Sequence, residues 1–216
     1  MSEAPAPVTL PRIGDPAPTF EAESTQGVIS LDSYPDKWIV LFSHPGDFTP
    51  VCTTEFVEFA RRKDDFDKRN VQLVGISVDS LFSHLAWVNS IEENQGVHIP
   101  FPVIADLDTK VSQAYGMIHA NQSTTSTVRA VFVIDPKRTV RAIIYYPMQA
   151  GRNIDEIVRL VDALQTGDAN TVSTPANWVP GQPVVVGAPR TQEALAARKA
   201  DDKLDKKGWY LATKSL

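Results

Sequence analysis

A chain of 216 residues is long enough for one domain with a real core, or for one domain with a substantial appendage. Its 43% hydrophobic and 22% charged residues exclude wholesale disorder, and a net charge of -5 gives no broad pull toward nucleic acid or anionic lipid, so neither partner is expected. The chain holds one cysteine, which excludes an internal disulfide, so any redox cycle must finish with a thiol or other reductant from outside.

The N-terminal stretch MSEAPAPVTLPRIG has no basic start followed by an apolar run, so it reads as a Pro-rich arm and not as a secretory signal. No later stretch approaches the roughly 20 apolar residues of a spanning helix, so no membrane association is expected and the expected compartment is the cytoplasm. The apolar runs at 38–43 (WIVLFS) and 71–78 (VQLVGISV) predict strands covered on both faces. Between them Phe56, Phe59, Ala60 and Phe66 fit helical spacing across 52–69, and Leu85, Val88 and Ile91 predict a second helix. A short strand at 103–105 precedes two longer ones, 129–134 and 140–146, joined by Asp-Pro-Lys-Arg-Thr as a hairpin. Ile154, Ile157, Val158, Val161 and Leu164 predict an amphipathic helix over 153–165, with Asn153 as N-cap, Glu156 as its capping-box partner and Gly167 as its stop. From residue 168 prolines accumulate around a short strand at 184–186, and a charged helical stretch follows Thr191. Strand–helix alternation followed by a hairpin and a helix gives an α/β domain over 1–167, with a small C-terminal extension domain over 168–216.

The informative segment is His44-Pro45-Gly46-Asp47-Phe48-Thr49-Pro50-Val51-Cys52, between a buried strand and a helix. Pro50 suits the first turn of that helix, Thr49 takes the N-cap position, and Cys52 falls within the first turn. A thiol there faces the positive end of the helix and its free N–H groups, which favour the thiolate, the nucleophilic form. The Thr49 hydroxyl, three residues earlier, is expected to point at the same spot. His84, His98 and His119 have no metal-ligand spacing with Cys52, so neither a metal nor a cofactor is expected. A dithiol reductase is excluded, because Thr49 stands where a Cys-x-x-Cys pair needs its other cysteine.

The segment 45–52 resembles the Pro-x-x-x-Thr-x-x-Cys signature of peroxiredoxins, and the likeness extends through Thr53-Thr54-Glu55, Ser77-Val78-Asp79-Ser80, 129–136 and Gly151-Arg152-Asn153. The tail Asn177-Trp178-Val179-Pro180-Gly181 is similar to the one-cysteine, Prx6-type subgroup. The resemblance implies a thioredoxin-like fold, and peroxidase activity on hydrogen peroxide and small organic hydroperoxides through a Cys52 sulfenic acid. It implies Thr49, Cys52 and Arg129 as catalytic residues. Pro45, His44, Glu55 and Arg152 are implied as supporting or substrate-binding residues. It also implies a homodimer or a ring of dimers, with the tail reaching the neighbouring subunit. The Gly-x-Ser-x-Gly elbow of lipid hydrolases is absent, since Gly75-Ile76-Ser77-Val78-Asp79 departs at its last position, so no such activity is expected.

Overall fold

The computed structural model describes residues 10–216; the expected Pro-rich arm falls largely outside them. Chain contacts divide the molecule into two compact units, the first up to Ile154 and the second Asp155–Leu216, a boundary earlier than the one expected after residue 167.

The first unit is a seven-stranded sheet ordered β2-β1-β5-β4-β3-β6-β7. Its strands are β1 (Glu21–Ser24), β2 (Gly27–Ser30), β3 (Trp38–Ser43), β4 (Val71–Ser77), β5 (Val103–Ala105), β6 (Arg129–Ile134) and β7 (Val140–Tyr146). The helices are α1 (Pro50–Arg61), α2 (Lys63–Asp67), α3 (Leu81–Gln95) and α4 (Lys110–Ala114). β3 pairs parallel with β4 and antiparallel with β6, so it is an interior strand with a neighbour on each side. All six of its residues are buried, as are all six of β6, which accounts for their unbroken apolar runs. The edge hairpin β1–β2 and the five-residue α4 go unpredicted, because elements this short carry too little periodicity.

One core cluster holds Ile39, Leu41, Val74, Ile76, Phe132 and Ile134. A second is aromatic: Phe42 stacks on Phe59 of α1 at 4.0 Å, and Phe56 meets Trp87 of α3 at 4.5 Å. Burying one such side chain is worth about 1.5–3 kcal/mol. Gly75 makes that packing possible, since a Cβ there would lie 3.1 Å from the Phe56 ring.

The helix expected over 52–69 is two helices. It breaks at Arg62, whose φ of -93° and ψ of 8° leave helical geometry. Its start at Pro50, with Thr49 as N-cap, is the one the sequence places there.

The second unit opens with α5 (Ile154–Asn170) and holds a three-stranded antiparallel sheet of β8 (Val184–Val186), β9 (Asp205–Lys206) and β10 (Ala212–Lys214), ordered β8-β10-β9. The charged helix α6 (Gln192–Ala200) is capped by Thr191, whose hydroxyl accepts from the Ala194 N–H at 3.1 Å. Asn153 directly precedes α5, in the N-cap position. Gly167 does not stop α5. The helix runs three residues on, and Thr171 takes the left-handed conformation at φ 52°. The Val172 N–H then donates back to the Gly167 carbonyl at 3.3 Å, closing the helix with a Schellman turn. A glycine inside a helix only weakens it, so the stop falls where the chain finds its return bond. No helix among the described residues is long and apolar enough to cross a membrane.

Candidate active site

β3 ends at Ser43, and six residues, 44–49, separate it from α1. Thr49 holds the N-cap position with extended backbone, and Pro50 is the first helical residue. The Thr53 N–H makes the first helical bond, to the Thr49 carbonyl at 3.0 Å. The N–H groups of Val51 and Cys52 therefore have no partner within the helix and point out of its positive end.

Cys52 is fully buried, and its Sγ lies 3.3 Å from Nη1 of Arg129. Arg129 reaches it because β6 runs antiparallel beside β3, with Val131 opposite Phe42. The first residue of β6 thus arrives beside the last turn of chain before the loop. Ser43 pins this junction, its Oγ donating to the Val128 carbonyl at 2.6 Å and accepting from the Ala130 N–H at 3.0 Å.

Glu55, one turn along α1 from Cys52, joins two guanidinium groups. Its Oε2 accepts from Arg129 Nη1 at 2.8 Å and from Arg152 Nη2 at 2.6 Å, and its Oε1 accepts from Arg152 Nε at 2.9 Å. Arg152 also donates to the carbonyls of Ser43 and Ala130, and its guanidinium lies over the Phe42 ring at 5.3 Å. Burial pulls Arg152 below its ordinary value, while the Glu55 carboxylate opposes the shift. Two cations and one anion leave one surplus positive charge, buried and facing the sulfur.

The Thr49 hydroxyl departs from expectation. It neither caps the helix nor bonds the sulfur, but donates to the Gly46 carbonyl at 2.8 Å. Phe48, in left-handed backbone at φ 55°, turns the chain within this segment. With its proton committed to Gly46, the hydroxyl oxygen keeps its lone pairs to accept a hydrogen bond. Pro45 is half-buried in the same loop.

His44 is fully buried and faces Asp47, Nε2 to Oδ1 at 2.8 Å. His84 also approaches Asp47, Nδ1 to Oδ2 at 2.9 Å, while its Nε2 lies 3.0 Å from the Ile104 carbonyl. Burial pushes the Asp47 carboxyl up, yet the bonds from both histidines outweigh it and hold the group well below the usual carboxylate range. Burial holds His44 below its ordinary value against the pull of Asp47. Asp47 and His84 carry no motif-level signal; only their meeting in space marks them. His98 is exposed against Glu92, and the His119 ring lies 5.0 Å from that of Tyr145.

The three groups are spaced for hydrogen bonds. Each histidine lies 2.8–3.0 Å from an Asp47 oxygen, and the three groups together lie within 4.8 Å of one another.

Residues 13–143 match the AhpC/TSA family, and residues 163–200 match the C-terminal domain of 1-Cys peroxiredoxin. The chain is 53% identical to a peroxiredoxin of Aquifex aeolicus, over 97% of this chain and 99% of that one. It is 54% identical to peroxiredoxin 2 of Caldanaerobacter subterraneus, over 97% and 95%. Among solved structures it resembles the yeast mitochondrial 1-Cys peroxiredoxin, with a TM-score of 0.85, 41% identity and 95% and 99% of the two chains covered. A cysteine-to-serine mutant of peroxiredoxin 6 of Arenicola marina gives a TM-score of 0.85 and 35% identity, over 95% and 98%. A thioredoxin-like fold with a C-terminal extension, a lone cysteine and these relatives lead to one conclusion: the chain belongs to the peroxiredoxins, and is a thiol peroxidase of the one-cysteine type resolved by an external reductant.

Proposed function

We propose that Cys52 is the peroxide-reacting thiol, with Thr49 and Arg129 as its catalytic partners. The single observation that carries this is Arg129 Nη1 at 3.3 Å from a buried Sγ, backed by one uncompensated positive charge. The Cys52 thiolate attacks one oxygen of the peroxide and the O–O bond breaks. The sulfur lone pair forms the new S–O bond of the sulfenic acid, and the other oxygen departs with the electron pair of the broken O–O bond, takes a proton and becomes water or an alcohol. Arg129 and the free N–H groups of the first turn stabilise the negative charge as it passes between the oxygens. Thr49 accepts from the peroxide O–H and aligns the molecule. Glu55 and Arg152 hold Arg129 in place, Pro45 walls the loop, and His44 lines its buried side. An external thiol then condenses with the sulfenic acid, releasing water, and a second thiol frees Cys52 as a disulfide forms between the two donors.

A groove of about 640 Å³ beside Thr49, Pro50, Thr53, Trp87 and Ile91 offers room for the carbon part of a small organic hydroperoxide. A cytoplasmic location suits this cycle, because a reducing compartment supplies the donor thiol; cell fractionation that finds the protein elsewhere overturns it. The assembly is a homodimer or a ring of dimers.

Stopped-flow peroxide consumption with a panel of thiol donors tests the assignment. Cys52→Ser should abolish turnover, and excess peroxide without reductant should add two oxygens to the intact mass at Cys52, because no second thiol intercepts the sulfenic acid. Turnover that survives in Cys52→Ser overturns it.

A further inference from the structure

The peroxide chemistry above makes no use of one buried pair, His84 and the Asp47 carboxylate it meets. The hydrogen bonds of this pair fix its charges. The Ile104 carbonyl only accepts, so the His84 Nε2 facing it at 3.0 Å carries a proton. Asp47, held well below the usual carboxylate range, is ionised and also only accepts. The His84 Nδ1 facing it at 2.9 Å therefore carries a proton too. Either neutral tautomer would set a nitrogen lone pair against an oxygen in a site without solvent. The same rule protonates His44 at Nε2, against Asp47. His44 stays neutral, since burial disfavours its charge and its Nδ1 has no partner among the described residues. The groups facing His84 are thus one carboxylate from the loop and one carbonyl from β5, with the neutral His44 ring at 5.8 Å and Asp79 beyond Asp47.

The loop this pair holds is one that needs holding. Phe48 adopts a left-handed backbone, costly for a residue with a side chain. Asp47 is tied at both ends, by its carboxylate to the two histidines and by its N–H to Asp79 Oδ2 at 3.0 Å. Asp79 is fixed in turn by the Ser77 hydroxyl at 2.6 Å. Two residues past Asp47 stands Thr49.

We propose that His84 is a positioning residue for peroxide reduction: as an imidazolium bridging the Asp47 carboxylate and the Ile104 carbonyl, it fixes the 44–49 loop and so places Thr49 against the first turn of α1. The inference rests on the roles given above to Cys52 and Thr49. His84 touches neither sulfur nor peroxide.

The test uses the full chain. With nitrogen-15 labelled histidine, NMR at pH 7 should show both His84 nitrogens protonated. Asp47→Asn should return the ring to a single N–H, on Nε2. His84→Gln keeps a donor but loses the charge and the second contact; in stopped flow it should slow Cys52 oxidation on the order of 10²-fold, as a small misplacement of a reacting group does. A bare nitrogen on His84 in the unaltered protein overturns the proposal, as does a folded His84→Gln protein of lower stability that reacts with peroxide at the original rate. If His84→Gln does not fold, the NMR of the unaltered protein and of Asp47→Asn decides. Failure of the underlying roles reads differently: Cys52→Ser would keep its turnover while the His84 signals stay as expected.

Discussion

Glu55 shows how one carboxylate organises a site. It has two arginines as partners, and the cluster balances only when Cys52 carries a negative charge. The motif around Cys52 is legible in sequence because the residues are contiguous and each has a physical reason for its place. Arg129 is not legible that way. It comes from the far side of β3 through a strand order that no local pattern encodes, and family resemblance alone points to it. His84 is less legible still, a lone histidine on an apolar helix face until Asp47 is set beside it. Asp47 also carries a pH prediction. Its folded-state value lies below the unfolded value of about 3.9, so the stability it adds is complete above that pH and is lost as pH falls further. Asp47→Asn should cost about 3–5 kcal/mol at pH 6, as breaking a buried pair does. In urea unfolding that gap should narrow by pH 3; a gap unchanged between the two pH values refutes it.

At the scale of elements, α1 and α5 depart from their patterns for different reasons. Apolar spacing runs on through Phe66, but Phe66 belongs to α2, and the backbone resets at Arg62 so that both helices bury their phenylalanines. Hydrophobic period records which residues face the core, not whether the chain between them stays helical. In α5, Gly167 looks like a stop, yet the left-handed position falls on Thr171. A β-branched residue is strained in that conformation where glycine is not. Thr171→Gly should therefore raise stability by about 1 kcal/mol, seen as a higher thermal midpoint; a lower midpoint would show that the Thr171 side chain contributes more than its strain removes.

At the scale of the molecule, the chain divides into a unit with a deep core and a smaller one with little interior. In the smaller unit Trp209, Tyr210 and Leu211 are 51%, 61% and 38% exposed and adjacent in sequence. Apolar side chains grouped in this way mark a contact surface, which supports the proposed assembly. Light scattering should give a mass at least twice the 23.8 kDa chain; a monomer at micromolar concentration would refute the dimer.

Cys52 has 0% of its surface open to solvent. A donor thiol borne on another protein cannot reach a sulfur so enclosed, whereas the oxidation step uses the arginine contact of the folded site. Oxidation and rescue thus belong to two shapes of the same chain. The opening turn of α1, the stretch of helix with the fewest internal bonds, is the door between them.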